Sequence, residues 1–331
     1  MSRPEQVPDA GTRLEWDAAA AAVRSAERVV LAGHVRPDGD ALGSMLALAH
    51  ALDRLGIPVT CVADPAEVPD SLQFLPGIDR LGGPPADPAA LLIALDASSP
   101  GRIGAAELLT SAKEVLVIDH HASNAGFGTV ALFDPSAAAT GMLVAGLIDR
   151  LGVPLDRTIA TCLYTAIVSD TGAFRHSNTT APVHELAARL LATGIAHDDI
   201  VRTLFDTHPA GWLRMLSAVL DRTVTDAALG LVWTAVTCAD LQDNALPADE
   251  AESVIDVVRT HDSAQVAVVF KEAEEGVWTV SARSRGAADV GALCVALGGG
   301  GHRLAAGYTA YGSLETVVAQ LRSALATATG E

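Results

Sequence analysis

Three short apolar runs in the first half of the chain each stop at side chains that bind cations. Val29-Val30-Leu31-Ala32 passes through Gly33 into His34-Val35-Arg36-Pro37-Asp38-Gly39-Asp40. Leu91-Leu92-Ile93-Ala94-Leu95 ends at Asp96, and Val115-Leu116-Val117-Ile118 ends at Asp119-His120-His121. Unbroken apolar runs of this length suit strands buried on both faces. The helical pattern that follows the first of them, Ala41 to Leu55, predicts strand–helix alternation and a parallel, doubly wound sheet. In such sheets ligands gather at the carboxyl ends of the strands, where all three runs place their acids and histidines.

A lead-in helix is expected over Leu14 to Arg28, and Gly56 before Pro58 closes the helix after the first strand. A strand over Pro58 to Ala63 and an irregular proline-rich stretch up to Pro88 follow. A short helix over Ile103 to Ser111 and helices over Thr140 to Leu151 and Leu155 to Val168 complete the pattern, the last running into Ser169-Asp170-Thr171-Gly172. From Ala181 to about Thr225 the chain reads as almost wholly helical. Beyond it, β-rich runs at Gly230 to Thr237, Ala264 to Lys271 and Val277 to Arg283 alternate with helices, and Ala305 to Ala310 reads as one more strand. The expectation is a catalytic α/β domain over 1–185, a helical connector over 186–225, and a smaller α/β domain with a mixed sheet over 226–331.

The 331 residues are 50% hydrophobic, ample for two cores. The start of the chain is polar, and no apolar run approaches the roughly 20 residues of a membrane span. A cytoplasmic protein that does not enter a membrane is expected. Cys61, Cys162, Cys238 and Cys294 are scattered and are expected to be buried thiols. A net charge of -18 excludes coating of long nucleic acid by counterion release, yet leaves room for small phosphorylated substrates held through cations.

Any one of these acids alone would be an ordinary helix cap or turn residue. Together, His34, Asp38, Asp40, Asp96, Asp119, His120, His121 and Asp170 fall at the edges of one sheet, and so many carboxylates without cations would be strongly unfavourable there. Alternation around the first turn can send His34 and Asp38 one way and Asp40 another, leaving room for a second ion roughly 3.5–4 Å from the first. Carboxylate and imidazole without thiolate suit manganese, with magnesium or cobalt also compatible. Two such ions imply hydrolysis by hydroxide attack on phosphorus. Downstream, Arg283-Ser284-Arg285 and Gly298-Gly299-Gly300-Gly301-His302 offer backbone amides and cationic donors for a phosphate. Phe174 and Arg175 are further candidates for lining the substrate site.

His34-x-x-Pro37-Asp38-Gly39-Asp40, Asp96, Asp119-His120-His121 and Asp170 before Thr171-Gly172 together resemble the four motifs of the DHH phosphoesterase superfamily. The Arg283 to Arg285 and Gly298 to Gly307 stretches resemble the DHH-associated C-terminal domain, in a form similar to the nanoRNase and pAp-phosphatase subfamily. The resemblance implies two manganese ions, one on His34, Asp38 and Asp96, the other on Asp40, Asp96, His120 and Asp170. It implies that Asp119 supports the site and that His121 acts at the scissile phosphate. Arg283, Ser284, Arg285, Gly299, Gly300, Gly301, His302 and Arg175 would hold the substrate. The implied substrates are short RNA oligonucleotides and pAp, with cyclic dinucleotides (c-di-AMP or c-di-GMP) as the alternative and a non-catalytic nucleotide-binding protein as the remaining one. The resemblance alone suggests a homodimer. Arg36 stands where many relatives carry a shorter polar residue.

Overall fold

The computed structural model describes residues 11–87, 89–124 and 126–329, so the polar start, Met1 to Ala10, and Pro88 lie outside the described residues. The chain divides into two compact units, Met1–Thr207 and His208–Glu331. Among the described residues, no helix is long and apolar enough to cross a membrane.

In the first unit β1 (Arg13–Leu14) precedes α1 (Trp16–Ser25), and β2 (Val29–Ala32) leads into α2 (Gly39–Arg54). β3 (Val59–Val62), β4 (Leu81–Gly82), β5 (Leu91–Leu95), α3 (Leu108–Ser111), β6 (Glu114–Asp119) and β7 (Val130–Phe133) follow. Four helices complete the unit: α4 (Thr140–Leu151), α5 (Arg157–Thr171), α6 (Ala181–Leu191) and α7 (His197–Phe205). The sheet order is β1-β7-β6-β5-β2-β3-β4, parallel throughout except for β1. From β2 the chain winds outward through β3 and β4, then returns to lay β5 on the other flank of β2. The switch point therefore lies between β2 and β5, the strands that deliver His34 and Asp96.

Alternate residues of these strands serve two cores. Val29, Leu31, Leu91, Ile93, Leu95, Leu116 and Ile118 pack with α1, α2, α4 and α5, whereas Val30, Ala32, Leu92, Ala94, Val115 and Val117 pack under the segment from Ala97 to Leu108. That double burial is why the strands read as unbroken apolar runs. Helix α2 lies close against α5 because Gly43 has no side chain: a Cβ there would stand 2.5 Å from the Cys162 carbonyl oxygen.

Several expectations are corrected. Residues 13–14 form an edge strand, so the lead-in helix starts only at Trp16. The short helix shrinks to Leu108–Ser111, because Ile103 is tied to His34 by an isolated bridge and Pro100 opens a 3-10 turn. The helical stretch after Ala181 ends before Val224, which enters an edge strand. Cys61, Cys162 and Cys294 are buried, but Cys238 is only half-buried, its thiol facing the Glu272 carbonyl at the start of a helix.

The second unit contains α8 (Trp212–Asp221), β8 (Val224–Asp226), β9 (Leu231–Val236), α9 (Cys238–Asp243), α10 (Val254–Val258), β10 (Val266–Glu274) and β11 (Val277–Ser284). It closes with α11 (Val290–Ala296), β12 (Gly300–His302), β13 (Ala305–Tyr311) and α12 (Leu314–Thr329). Its sheet, β12-β13-β11-β10-β9-β8, is mixed, with β9 and β10 parallel and the other neighbours antiparallel. Residues Val268, Phe270, Val280 and Ala282 pack under α11 and α12, while Val232, Ala267 and Val269 pack under α8 and α10.

Candidate metal centre

His34 leaves β2 with its Nδ1 at 2.9 Å from the Val35 carbonyl oxygen, which directs Nε2 towards Asp38 at 3.7 Å and Asp96 at 3.5 Å. Asp38 is the N-cap of α2, its Oδ1 accepting from the backbone N–H groups of Asp40 and Ala41. The bland role and the site role thus fall on one residue.

His120, at the end of β6, repeats the device. Its Nδ1 lies 3.1 Å from the Ala137 carbonyl oxygen, and its Nε2 faces Asp170 at 3.2 Å, Asp96 at 3.6 Å and Asp40 at 3.7 Å. Ligand atoms of His34, Asp38 and Asp96 fall within 4.8 Å of one another, as do those of Asp40, Asp96 and His120. The two groups share Asp96, which presents Oδ2 to His34 and Oδ1 to His120.

His121 turns the other way. Its Nδ1 is 2.8 Å from Asp119 Oδ1, and its backbone N–H donates to the same oxygen. Asn124, buried beside it, donates from Nδ2 to Asp119 Oδ2 at 2.5 Å.

Burial and charge set the protonation of these residues. Burial, followed by the Asp96 and Asp170 charges, pushes the Asp40 carboxyl well above its ordinary range, and burial also raises Asp170. Burial acts upward on Asp96 too, but the hydrogen bond from His34 and the charges of His121, His120 and His34 outweigh it and hold Asp96 low. For His34 burial acts downward, yet Asp38 and Asp96 push its imidazole up to about 11. His120 is raised by Asp170, Asp96 and Asp40 against the same opposition from burial. The residues fit divalent cations: carboxylate oxygens converge with two imidazoles whose Nδ1 atoms face backbone carbonyls, the arrangement that leaves Nε2 for a metal.

The backbone is held out of its comfortable range at the same place. Arg36, Asp96, Ala173 and Phe174 all have positive φ (51°, 55°, 54° and 65°), a conformation costing about 1–3 kcal/mol per residue unless the surroundings impose it. Arg36 is exposed, and its N–H donates to Glu67 Oε2.

Four contributors had no recognisable signal in the sequence. Helix α4 has no side-chain cap of its own, and its first amides instead bind a carboxylate from α2: Thr140 N–H donates to Asp40 Oδ2 at 2.6 Å and Gly141 N–H to Asp40 Oδ1 at 2.9 Å. Thr140 Oγ1 donates to Asp96 Oδ1 at 2.9 Å, and Ser44 Oγ to Asp40 Oδ1 at 3.1 Å. Asn124, five residues past Asp119, is the fourth.

Arg175 and Phe174 are taken up locally. Arg175 donates from Nε to the Gly172 carbonyl and lies 5.8 Å over the Phe205 ring, while Phe174 packs against the core. In the second unit Arg283 stands in register between Ala267 and Ala305, two small neighbours, and burial lowers its pKa. Arg285 is committed elsewhere, donating to the carbonyls of Arg259, Thr260 and Asp262, where α10 ends with unsatisfied acceptors. Ser284 Oγ accepts from Gly286 N–H and Ala288 N–H. The glycine run is a strand of a hairpin rather than a loose loop: Gly300 pairs with Gly307 and His302 with Ala305. A Cβ at Gly299 would stand 2.1 Å from the Gly307 carbonyl oxygen, and one at Gly301, with φ of 137°, 2.6 Å from Ala306 Cα.

Residues 28–167 match the DHH family, N-terminal domain, and residues 233–329 match the DHHA1 domain. A protein of Thermus thermophilus named bifunctional oligoribonuclease and PAP phosphatase NrnA is 39% identical over 286 residues, 86% of this chain and 84% of its own length. The chain belongs to the DHH family. A Bacillus subtilis protein of the same name is 26% identical over 86% of this chain and 90% of its own. The crystal structure of an exopolyphosphatase-related protein from Bacteroides fragilis superposes with a TM-score of 0.87 at 25% identity, covering 95% of this chain and 96% of that one. DHH phosphoesterases are metal-dependent hydrolases, and this DHH chain carries acidic and imidazole groups able to hold metal.

Proposed function

We propose that this chain is a cytoplasmic phosphohydrolase that uses two divalent cations, best suited to manganese, to release mononucleotides from very short oligoribonucleotides such as pApA and to remove the 3′-phosphate of pAp. The sharing of buried Asp96 by two carboxylate–imidazole groups carries this reading. The name of the 39% identical relative supports the substrate class. One ion is assigned to His34, Asp38 and Asp96, the other to Asp40, Asp96, His120 and Asp170. Cations held there supply positive charge to a phosphoryl group and lower the pKa of water, so that attack on phosphorus proceeds near neutral pH.

The protein's own groups do the rest. Burial pulls the His121 pKa down, but Asp119 and Asp96 outweigh it and raise it, so the ring carries a proton on Nδ1 facing Asp119 and a second on Nε2, which it hands to the leaving oxygen. Arg283, Ser284, Gly299 to Gly301 and His302, on a domain spanning 226–331, bind the nucleotide, while Arg285 braces the end of α10.

The test is one time course with purified protein, Mn²⁺ and an equimolar mixture of pAp, pApA and c-di-AMP, followed by chromatography. The expected result is loss of pApA and pAp with AMP accumulating and c-di-AMP untouched. Early loss of c-di-AMP would move the protein to cyclic-dinucleotide turnover, and no loss of any of the three would overturn the substrate class.

Arg283→Ala and His302→Ala are expected to raise KM by about ten- to a hundredfold, the worth of one hydrogen bond to a charged group, with cation content unchanged. A fall in cation content would remove these residues from substrate binding.

Cation binding should also expel protons. Without a cation, His34 is protonated until pH rises through about 11, and His120 is raised in the same direction. At pH 7 both must lose a proton to present Nε2, so affinity rises with pH, by about tenfold per unit for each proton displaced. Calorimetric titration of Mn²⁺ in two buffers of different ionisation enthalpy reads the proton count directly, and a count of zero would contradict the protonated metal-free site.

A further inference from the structure

Thr140 touches two of the three carboxylates of one cation position, Asp40 and Asp96, and neither of the groups peculiar to the other. Its backbone N–H holds Asp40 Oδ2, and its hydroxyl holds Asp96 Oδ1, the oxygen turned to His120. Asp96 Oδ2, turned to His34, receives nothing from it. The residue is fully buried, so neither bond exchanges with solvent.

The approach that makes this grip is built into the neighbouring helices. Gly141 follows Thr140, and a Cβ there would stand 2.7 Å from Ala166 Cβ on α5 and 3.5 Å from Asp40 Oδ1. Only glycine lets the amino end of α4 reach between α2 and α5. Ala139 provides no side-chain cap, so the amides of α4 find their acceptor a hundred residues away in sequence, on Asp40.

We propose that Thr140 is a positioning residue specific to the cation position formed by Asp40, Asp96, His120 and Asp170. Resting on the two-cation reading above, this makes the two positions separable by one side chain. The hydroxyl fixes the rotation of the shared carboxylate, so that Oδ1 stays on the Asp40 side; the amide fixes Asp40 itself. Losing the hydroxyl removes the hydrogen bond that Asp96 Oδ1 accepts, while the contact of Oδ2 with His34 is kept.

Thr140→Val keeps the size and the backbone N–H and deletes only the hydroxyl; Thr140→Ser keeps the hydroxyl. Mn²⁺ binding to the full-length protein is counted by titration calorimetry and by electron paramagnetic resonance. In Thr140→Val one of the two ions is expected to bind about ten- to a hundredfold more weakly, the usual cost of removing a group that orients a ligand. The other ion keeps its affinity, and Thr140→Ser binds both as the wild type does. Adding His34→Ala to Thr140→Val should then weaken the remaining ion, marking which position the hydroxyl serves. Two ions at wild-type affinity in Thr140→Val, or equal weakening of both, would overturn the proposal. If the valine variant does not fold, Thr140→Ala, which leaves space for water, is read by the same criteria. Failure here leaves hydrolysis of pApA by the wild type untouched, whereas failure of the substrate reading shows in the wild type alone.

Discussion

Replacing Asp96 with Asn is expected to reduce kcat by about a thousandfold or more and to take both cations below saturation at concentrations that fill the wild type. Metal ions contribute several kcal/mol of charge stabilisation in such reactions, and each 1.4 kcal/mol is about a decade in rate. Asp96 is the one residue common to both groups, so its amide leaves each with a single lone-pair oxygen to share and no charge. Asparagine is the right probe because Asp96 has a φ of 55°, a left-handed conformation that Asn tolerates and most residues resist. Its backbone N–H also remains available to the Ile118 carbonyl oxygen, so the strand end is preserved. Cation content by metal analysis and kcat on pApA check the two halves separately. Full kcat with two ions bound would remove Asp96 from its bridging place.

The first sheet was legible because its chemistry lies at the ends of strands whose burial on both faces leaves unbroken apolar runs. Asp96 illustrates it: five fully buried residues run directly into a buried acid. What escaped was carried by the main chain or by short edges. Thr140 and Gly141 grip Asp40 with amide groups that every residue but proline possesses, so that grip leaves no mark on residue type. β7, four residues long, has too few positions to show a period, and β1 has only two. The glycine run has a second reason for its composition. Besides the backbone amides it offers, Gly299 and Gly301 are glycine because backbone of the facing strand fills the space of a Cβ. Arg285, adjacent to the motif arginine in sequence, is drawn off by carbonyls that only the folded end of α10 exposes.

Replacing Asp119 with Asn should separate proton transfer from metal binding: kcat is expected to fall by about a hundred- to ten-thousandfold, the usual range for general acid–base groups, with two cations still bound. Asp119 meets donors only, from His121 Nδ1 and N–H on one oxygen and Asn124 Nδ2 on the other. An amide has one acceptor for these two sides. If its oxygen faces His121, its NH₂ confronts that of Asn124, which is itself fixed because Asn124 Oδ1 accepts from Gly126 N–H at 2.8 Å. If its NH₂ faces His121, the imidazole cannot keep a proton on Nδ1 and loses the acceptor that oriented it. Either outcome disturbs the proton on His121 without touching Nε2 of His34 or of His120. Asp96, Asp119 and His121 also come within 4.8 Å as a third group, and the same variant tests it. Loss of an ion together with activity would make Asp119 a ligand, while unchanged kcat would remove His121 and its partner from proton transfer altogether.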